Sequence, residues 1–575
     1  MLNSFFKIYS DLVPECRGKI LLLIMISLFF ILAETLGIAF IIPVISLIVD
    51  FESAKSNFGL IGIYIDKHNI DYINSMFFAL LIVAIVFFLK NIFIGYYFFK
   101  SNQIIQFIRY KISEKLYKNY LNSDYQDFTK KNSAFLLRNI SRESEHVSVF
   151  IQFLTTIYSE ILILLFLIAI LLMTSFQTTI FASILFITVS LIYSSLFRKK
   201  LSKLGNEVIF NEGKSVQHTL QGLNNMKIVK LMGRQESFLN KYNFHSWQIF
   251  NLKTKARFLS NLPRPILEVL VILGLTIVLF VFIYKGISKE EMIFTLGVYG
   301  TVILRAIPAI NRVLSSYHNS KFLEPSVKLI SQELLKKDIK IKNENVSNVS
   351  EAKFHFEKAL FKNISFKFNK KYIFKNLNFE LIKNDVIGII GESGSGKSTF
   401  ADILMGLLKP SEGEIIINND KNYSYSQHWP NLIGYVPQNF YLIDDTIKNN
   451  ILFGLDSKSA NESFLNEIID KCDIKNFISS ENSVISTIGE NGNKLSHGQR
   501  QRIAIARALY LNPEILILDE ATSALDTATE NRILTTLKRF IGTKTILFIS
   551  HRLSALEMCN KIFEIKNFQF NEVTK

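Results

Sequence analysis

Six long apolar runs constrain this chain more than any other feature of its sequence. They lie near residues 20–49, 76–99, 147–173, 176–197, 266–284 and 292–315. A hydrocarbon layer about 30 Å thick is crossed by roughly 20 helical residues, and each run approaches or exceeds that length. The first run lacks the short apolar core and small-residue cleavage site of a secretion signal, so it predicts a retained span. We therefore expect six membrane-spanning helices.

The distribution of basic residues predicts how these spans are oriented. Segments 1–19, 100–145 and 198–262 contain 24 Lys and Arg residues, whereas the loops on the other side contain four. Because Lys and Arg accumulate on the cytoplasmic side, both termini are predicted to be cytoplasmic. This topology accounts for most of the formal charge of +16, so the basic composition does not indicate a nucleic-acid partner. The outer segment from Phe51 to Asn74 fits a short amphipathic surface helix or a packed loop equally well.

The pattern changes after the sixth run. A charged stretch from Lys321 to Glu351 leads into short β-rich runs that alternate with helical patterns, which is typical of an α/β domain. The predicted fold class is a membrane α-helical domain of six spans, residues 1–330, fused to an α/β domain, residues 331–575, in which the sequence "GESGSGKST" at residues 391–399 indicates a P-loop nucleotide-binding domain. Three scattered cysteines exclude a disulfide framework and a thiolate metal site.

A phosphate-binding loop opens the α/β domain. The strand "VIGII" is followed by "GESGSGKST", residues 391–399, and then by the helical segment "FADILMGLL". Strand, glycine loop and helix form the context in which this pattern binds a nucleotide, because the backbone N–H groups and the helix N-terminus face the phosphates. Lys397 is expected to reach the β- and γ-phosphates, and the Ser398 hydroxyl is expected to bind Mg²⁺.

A second motif, which is acidic, follows about 120 residues after the phosphate-binding loop. The apolar run "ILIL" ends in Asp519 and Glu520, at the end of a strand where nucleotides bind in open α/β sheets. Asp519 is predicted to hold the Mg²⁺ shell and Glu520 to polarise the attacking water. An acidic pair that merely caps the next helix is the simpler alternative, but it does not explain the spacing from the phosphate-binding loop.

These motifs, together with "LSHGQRQRIAIARAL", "SALD", "GYVPQN", "TIGENG" and "ISHRLS" in this order, resemble the ATP-binding cassette transporters over essentially the whole chain. The resemblance implies an ATPase coupled to export by alternating access, with ATP and Mg²⁺ as cofactors. One cassette per chain implies a homodimer whose two ATP sites each combine one subunit's phosphate-binding loop with the partner's signature motif.

The resemblance also assigns site residues. Glu520, His551 and Gln438 are expected to be catalytic, and Ser398, Gln438 and Asp519 are expected to bind the metal. The residues expected to contact the nucleotide are Phe368, Gly391, Ser393, Gly394, Ser395, Gly396, Lys397, Ser398, Thr399, Ser496, Gly498 and Gln499. Two positions depart from the family pattern: His497 replaces a signature glycine, and Phe368 replaces the usual adenine-stacking tyrosine.

Within this family, the stretches "AETLGIAFIIPVISL", "LPRPILE" and "LRAIPAINRVLSSYH" resemble the bacterial flippases for lipid-linked oligosaccharides of N-linked protein glycosylation. This resemblance implies a multi-pass protein of the bacterial inner membrane with a lipid-linked glycan as its cargo. Export of peptides, of lipids such as lipid A, or of drugs is the alternative. A nucleotide-gated channel or regulator is disfavoured because Glu520, Gln438 and His551 are all present.

Cations within the apolar runs predict a cargo site, since a charge inside a span is costly unless it meets water or an anion. Lys90, Arg264 and Arg305 are the candidates for binding the pyrophosphate of such a cargo. Alternatively, Lys90 extends to the membrane surface, and Arg264 pairs with Glu268 one helical turn away. Glu34 and Glu160 are further charges within the spans and could pair with these cations.

Overall fold

A computed structural model describes residues 14–41, 44, 72–174, 176–286, 289–335, 355–368, 371–418, 428–477, 487–521 and 527–573. The chain divides into two compact units, one of residues 1–123 and 128–339 and the other of residues 124–127 and 340–575. Most of the outer segment from Phe51 to Asn74 and the "SALD" motif lie outside the described residues, so the interpretations placed on them stay predictions. The boundary near residue 330 also stays a prediction.

The first unit consists of helices. They are α1 (Pro14–Ala39), α2 (Tyr72–Leu121), α3 (Tyr125–Thr129), α4 (Ser133–Arg138), a π-helical turn (Asn139–Glu143), α5 (Ser144–Thr174), α6 (Phe176–Asn224), α7 (Met226–Leu231), α8 (Gln235–Asn261), α9 (Pro263–Lys285) and α10 (Lys289–Leu335); α3 lies largely within the stretch grouped with the second unit. The described parts of the six predicted spans fall, in order, on α1, α2, α5, α6, α9 and α10. The basic inner segments 100–145 and 198–262 begin as helical extensions of these spans, since α2 continues to Leu121 and α6 to Asn224.

Length and apolar composition identify four stretches of the described helices as able to cross a membrane. They are Glu15–Gly37, Tyr72–Leu121, Ser133–Leu172 and Gln235–Ile277. The remaining two predicted spans lie on α6 and α10, which have 49 and 47 residues and would each extend well beyond a bilayer. The helical membrane fold predicted from the sequence is confirmed.

Burial divides each membrane helix into a packed face and an exposed apolar face. Ile108, Ile112 and Leu116 of α2 recur every four residues and are almost fully buried against α1, α5 and α10, as expected of one helix face. Nearer the N-terminus of the same helix, Phe88 and Leu89 are 68% and 59% exposed. A hydrocarbon solvent tolerates such an exposed apolar face, whereas water does not.

The second unit contains two sheets. Its elements are β1 (Lys358–Phe368), β2 (Lys371–Ile382), β3 (Val386–Gly391), α11 (Lys397–Leu404), β4 (Glu412–Ile417), α12 (His428–Asn431), β5 (Ile433–Val436), α13 (Ile447–Leu452), α14 (Glu462–Lys471), α15 (His497–Tyr510), β6 (Ile515–Asp519), α16 (Thr527–Lys538), β7 (Thr545–Ile549), α17 (Leu553–Leu556), β8 (Lys561–Lys566) and β9 (Gln569–Val573). An antiparallel sheet has the order β2-β1-β4, and a six-stranded sheet has the order β5-β6-β7-β3-β8-β9.

The larger sheet forms the centre of the second unit, which is called the cassette below. Its strands β5, β6, β7, β3 and β8 are parallel, and β9 joins β8 in the antiparallel direction. Strand β6 is buried along its whole length: Leu516 and Leu518 pack into the core on one face, and Ile515 and Ile517 pack into the core on the other. Continuous apolar strands of this kind are covered on both faces, so the carboxyl ends of the strands are where polar residues can gather.

Candidate functional site

Four of the predicted motifs meet at one edge of the parallel sheet. The phosphate-binding loop follows β3, Gln438 follows β5, Glu520 follows β6 and His551 follows β7. These strands are neighbours in the order β5-β6-β7-β3, and parallel strands place their carboxyl ends together. Segments that are far apart in sequence therefore form one site.

The phosphate-binding loop has a conformation that requires glycine. Gly394 and Gly396 have φ angles of +81° and +102°, a region that side chains rarely adopt. A Cβ atom on Gly396 would lie 2.6 Å from Ile373 and 2.8 Å from Phe374. The Lys397 ammonium group is buried and donates hydrogen bonds to the carbonyl oxygen atoms of Gly391, at 2.8 Å, and Glu392, at 3.0 Å. The loop therefore forms a rigid backbone turn at the start of α11, as phosphate binding requires.

Two of the expected metal ligands contact each other. The Ser398 hydroxyl donates a hydrogen bond to the Asp519 carboxylate, and the Tyr435 hydroxyl donates to Asp519 Oδ2 at 3.4 Å. Burial raises the pKa of Asp519 and the neighbouring Glu520 charge raises it further, whereas the hydrogen bonds from Ser398 and Tyr435 oppose this shift. Hydroxyl and carboxylate oxygen atoms are ligands that Mg²⁺ prefers, so the donor set fits that ion.

The three expected catalytic side chains converge. Gln438 Nε2 donates a 2.6 Å hydrogen bond to Glu520 Oε2, and His551 Nε2 lies 3.9 Å from Glu520 Oε1. The Glu520 backbone has a φ angle of +47°, and its N–H donates to the Ile549 carbonyl oxygen at 2.8 Å. A non-glycine residue in this conformation is strained, and such strain persists where the surrounding structure holds it. The strand β7 therefore fixes the backbone of Glu520 while Gln438 orients its carboxylate.

The signature residues begin α15. Ser496 is the N-cap of this helix and forms a capping box with Gln499, and Gly498 lies in the first turn. The His497 ring lies 5.6 Å from the ring of Phe440, measured between centroids. Partial burial lowers the pKa of His497, and the nearby Arg500 charge lowers it further. His497 therefore packs as a neutral aromatic ring beside the segment that carries Gln438.

The adenine-stacking candidate, Phe368, is the last residue of β1 and is 47% exposed. Its ring is thus available to a ligand. The sequence interpretation did not identify two aromatic residues of this region, Tyr435 and Phe440. Tyr435 reaches Asp519 only because β5 pairs with β6, with Tyr435 opposite Ile517, and a local pattern does not reveal that pairing.

The charges within the membrane unit form one network across four helices. Lys90 Nζ lies 2.9 Å from Glu34, which also lies 3.6 Å from Arg305. Arg305 lies 3.9 Å from Glu160, and Glu160 receives two hydrogen bonds from Arg312 at 2.6 and 3.1 Å. Three cations and two carboxylates leave this network with a net charge of +1.

The structure brings Lys90 and Arg305 together through Glu34, whereas Arg264 pairs at 3.0 Å with Glu268 and is 70% exposed. The interpretation of the sequence missed Arg312. A signal was present, because Arg305 and Arg312 are seven residues apart and such positions share one helix face. Arg312 is also the most exposed member of the network, at 39%.

A phosphate-binding ATPase fold joined on one chain to long apolar helices defines an ATP-driven membrane transport protein. Comparison with known families identifies which one. A profile described as "ABC transporter" matches residues 374–523, and one described as "ABC transporter transmembrane region" matches residues 23–304. The chain belongs to the ABC transporters, as an exporter whose membrane and nucleotide-binding domains are fused, and it couples ATP hydrolysis to transport.

Individual relatives agree with this assignment. The chain is 28% identical over 526 residues to an ATP-dependent lipid A-core flippase of Pasteurella multocida, covering 88% of this chain and 86% of that protein. It is 29% identical over 469 residues to the protein of the same name from Mannheimia succiniciproducens, covering 80% and 78%. The structure of a bacterial Atm1-family ABC exporter with ATP bound has the same fold, with a TM-score of 0.79, 21% identity and coverage of 97% and 94%.

Proposed function

We propose that this exporter is a flippase that moves an amphipathic, lipid-linked oligosaccharide across the bacterial inner membrane. The observation that supports this cargo best is the charge network of Lys90, Glu34, Arg305, Glu160 and Arg312. Charges within a membrane span are costly, so a network with an excess cation is expected to serve an anionic cargo.

The charge of the network matches this cargo quantitatively. Each chain contributes one excess positive charge, and a homodimer contributes two. A pyrophosphate that joins a polyprenyl chain to a sugar carries about two negative charges, because each phosphorus keeps one acidic oxygen. Arg312 is the member best placed to meet it, since its guanidinium is the most exposed and offers paired N–H donors to phosphate oxygen atoms.

A homodimer is expected because each chain contains a single nucleotide-binding cassette. Each chain contains one phosphate-binding loop and one signature motif, and the Ser496 and Gln499 side chains already bond to their own helix start. A second subunit would bring a signature helix N-terminus, with its Gly498 N–H and its positive dipole, to the γ-phosphate of this chain's ATP. The resulting assembly has two equivalent ATP sites.

Each of the site residues in the cassette has a separate role in ATP hydrolysis. Lys397 binds the β- and γ-phosphates, and the loop N–H groups surround them. When bound, Mg²⁺ neutralises phosphate charge, and Ser398, Asp519 and Gln438 are the residues that would hold it. Glu520 accepts a hydrogen bond from the attacking water and orients it, while Gln438 positions the Glu520 carboxylate. His551, which is 51% exposed, contacts the γ-phosphate from the neighbouring strand.

We place the protein in the bacterial inner membrane with both termini and the cassette in the cytoplasm. The asymmetry of Lys and Arg between the inner and outer segments supports this orientation.

A lipid A-type cargo is the second candidate, because three of the relatives are named lipid A-core flippases. Its phosphates would also be attracted to the network. Peptides and drugs are less well matched, since most lack a compact multivalent anion.

Reconstitution of the purified protein in liposomes decides between these cargoes. The assay compares the ATP-dependent movement of four substrates: a polyprenyl-pyrophosphate glycan, a lipid A-type glycolipid, a cationic dye and a peptide. We expect movement of the pyrophosphate glycan by the wild type, and a large loss in Arg312→Gln but not in Arg264→Gln. Faster movement of the dye or peptide than of both phosphorylated lipids would contradict the proposal.

A further inference from the structure

A basic cavity lies between α6 and α10, well away from the charge network. It has a volume of about 430 Å³ and is lined by Arg198, Lys199, Ser202, Lys321 and Glu324. This volume is within the range of about 300–1,000 Å³ that is typical of ligand pockets. The lining carries three positive charges and one negative charge, so an anion is the ligand class that it favours.

The position of the cavity is set by the sequence of α6. Arg198 and Lys199 come directly after the apolar run that ends at residue 197, so we expect them at the boundary of the membrane. Two further basic residues, Lys200 and Lys203, continue this helix. Basic pockets between membrane helices at this depth are suited to lipid headgroups, because the acyl chains can stay in the hydrocarbon while the phosphate meets the cations.

The ion pairs that the structure describes leave two of the lining cations without a carboxylate partner. Lys321 pairs with Glu324 at 3.0 Å, and Glu324 also lies 3.4 Å from Lys328. Among the residues that the structure describes, Arg198 and Lys199 form no ion pair. Both side chains are exposed. Glu324 thus offsets part of the charge on α10, and the charge that no carboxylate offsets is concentrated on α6.

Helices α6 and α10 pack closely beside the cavity. A Cβ atom on Gly205 would lie 2.0 Å from the Phe322 carbonyl oxygen, so the α6 and α10 backbones touch there. Toward the membrane, Tyr193 packs against His318 with 5.2 Å between the ring centroids. The α6 residues of the cavity lie between Tyr193 and Gly205 in the sequence, and its α10 residues flank Phe322, so the cavity adjoins packed helix contacts.

We propose that this cavity binds the phosphate headgroup of an anionic phospholipid that is not the transported cargo. Arg198 and Lys199 bind the phosphate, and Ser202 is in reach to donate a hydrogen bond. Lys321 on the cavity wall is nine residues beyond Arg312, about 13 Å of helical rise along α10, so this site is separate from the charge network.

The test compares lipid binding by full-length variants in neutral detergent. Wild type is expected to bind phosphatidylglycerol in preference to phosphatidylcholine. The double variant R198Q/K199Q is expected to bind it on the order of 30-fold more weakly, because each basic residue near an anionic surface contributes about fivefold. The variant K362Q/K383Q removes the same charge from exposed cassette lysines and is expected to bind phosphatidylglycerol as the wild type does.

Two further measurements, one on the variant Ser202→Glu and one with inorganic phosphate as a competitor, complete the test. Ser202→Glu leaves the basic residues in place and adds a carboxylate to the cavity, so it is expected to abolish the preference even if R198Q/K199Q does not fold. Inorganic phosphate at millimolar concentration is expected not to displace the lipid. Equal phosphatidylglycerol affinity in wild type, R198Q/K199Q and Ser202→Glu would overturn the proposal, and displacement by phosphate would show a free-anion site instead.

The cargo assignment is tested separately. Arg312→Gln is expected to retain the phosphatidylglycerol preference while losing glycan movement. Loss of the phosphatidylglycerol preference in Arg312→Gln would contradict the separation of the two sites.

Discussion

Gln438 and Glu520, which are 82 positions apart in sequence, are joined by a 2.6 Å hydrogen bond from the amide to the carboxylate. The two residues follow neighbouring strands, β5 and β6. The segment that carries Gln438 also packs, through Phe440, against His497 at the start of the signature helix. One short segment therefore contacts both the residue proposed to orient water and the motif proposed to meet the partner's ATP.

Replacing Glu520 by Gln should stop turnover without preventing ATP binding. The substitution keeps the side-chain shape but removes the charge that orients and polarises the attacking water, a contribution of about 10²- to 10⁴-fold. We expect steady-state ATPase activity to fall at least about 100-fold while the affinity for ATP is retained. Glu572→Gln, on the exposed strand β9, is the matched control. Wild-type turnover in Glu520→Gln would refute the assigned role.

Replacing His497 by Gly should weaken the cassette even though glycine is the residue usual in this family. The variant loses the ring contact with Phe440, worth about 0.5–1.5 kcal/mol, and gains backbone freedom in the first turn of α15. His497→Phe keeps a ring and should be close to wild type. Trp429 is fully buried whereas Trp247 is 62% exposed, so tryptophan fluorescence during denaturation reports mainly on the cassette. Equal midpoints for the Gly and Phe variants would show that the ring contact is not stabilising.

Replacing Glu34 by Gln should increase the affinity for an anionic cargo. Glu34 lies between Lys90 and Arg305, so its neutralisation raises the net charge of the network from +1 to +2. A unit charge a few ångströms away in a partly buried site is worth more than about 1 kcal/mol. The glycan concentration that half-stimulates the ATPase should therefore fall about tenfold. Glu268→Gln, which neutralises the exposed partner of Arg264, should leave that concentration unchanged; a shift of the same size there would implicate overall charge instead.

The thiol of Cys472 should be unreactive in the folded protein. Burial raises the pKa of Cys472 to about 12, whereas an unfolded thiol has a pKa of about 8.5. At pH 8 to 9 the native thiol thus stays protonated, and alkylation should require denaturant. The unfolded state loses its proton first, so this residue's contribution to stability is present below about pH 8.5 and falls as the pH rises toward 12. Mass spectrometry of the alkylated peptide checks the reactivity. Rapid labelling of Cys472 without denaturant would contradict this burial.

Adding a methyl group at Gly205 should destabilise the membrane unit. The new Cβ would lie 2.0 Å from the Phe322 carbonyl oxygen, and relief of that overlap requires α6 and α10 to separate, at a cost of about 1–3 kcal/mol. Gly274→Ala is the control, because nothing lies within 4 Å of its Cβ position on α9. That variant should be neutral or slightly stabilised, since alanine favours helices. Thermal unfolding in detergent measures both, and equal melting temperatures would count against the close contact.

Much of the fold and of the ATP site could be predicted from local patterns. Apolar runs of sufficient length predict spans whatever they pack against, because the cost of exposing a backbone polar group to lipid acts on each helix separately. The phosphate-binding loop is similarly local, since the glycines, Lys397 and the helix start all lie within a few residues. The order of strands in the sheet was not predicted, because strand pairing depends on contacts between distant segments.

The membrane charges show where prediction from sequence stops. The sequence identified Lys90, Arg264 and Arg305 as candidates, and the structure joins two of them to Glu34 and leaves Arg264 beside Glu268. It also adds Arg312, whose partner Glu160 lies 152 positions away. Sequence alone determined which residues carry charge and which segments are long and apolar enough to cross a membrane, because both depend on local composition. The tertiary structure decided which charges neutralise one another, because ion pairing falls off within a few ångströms and only helix packing sets those distances.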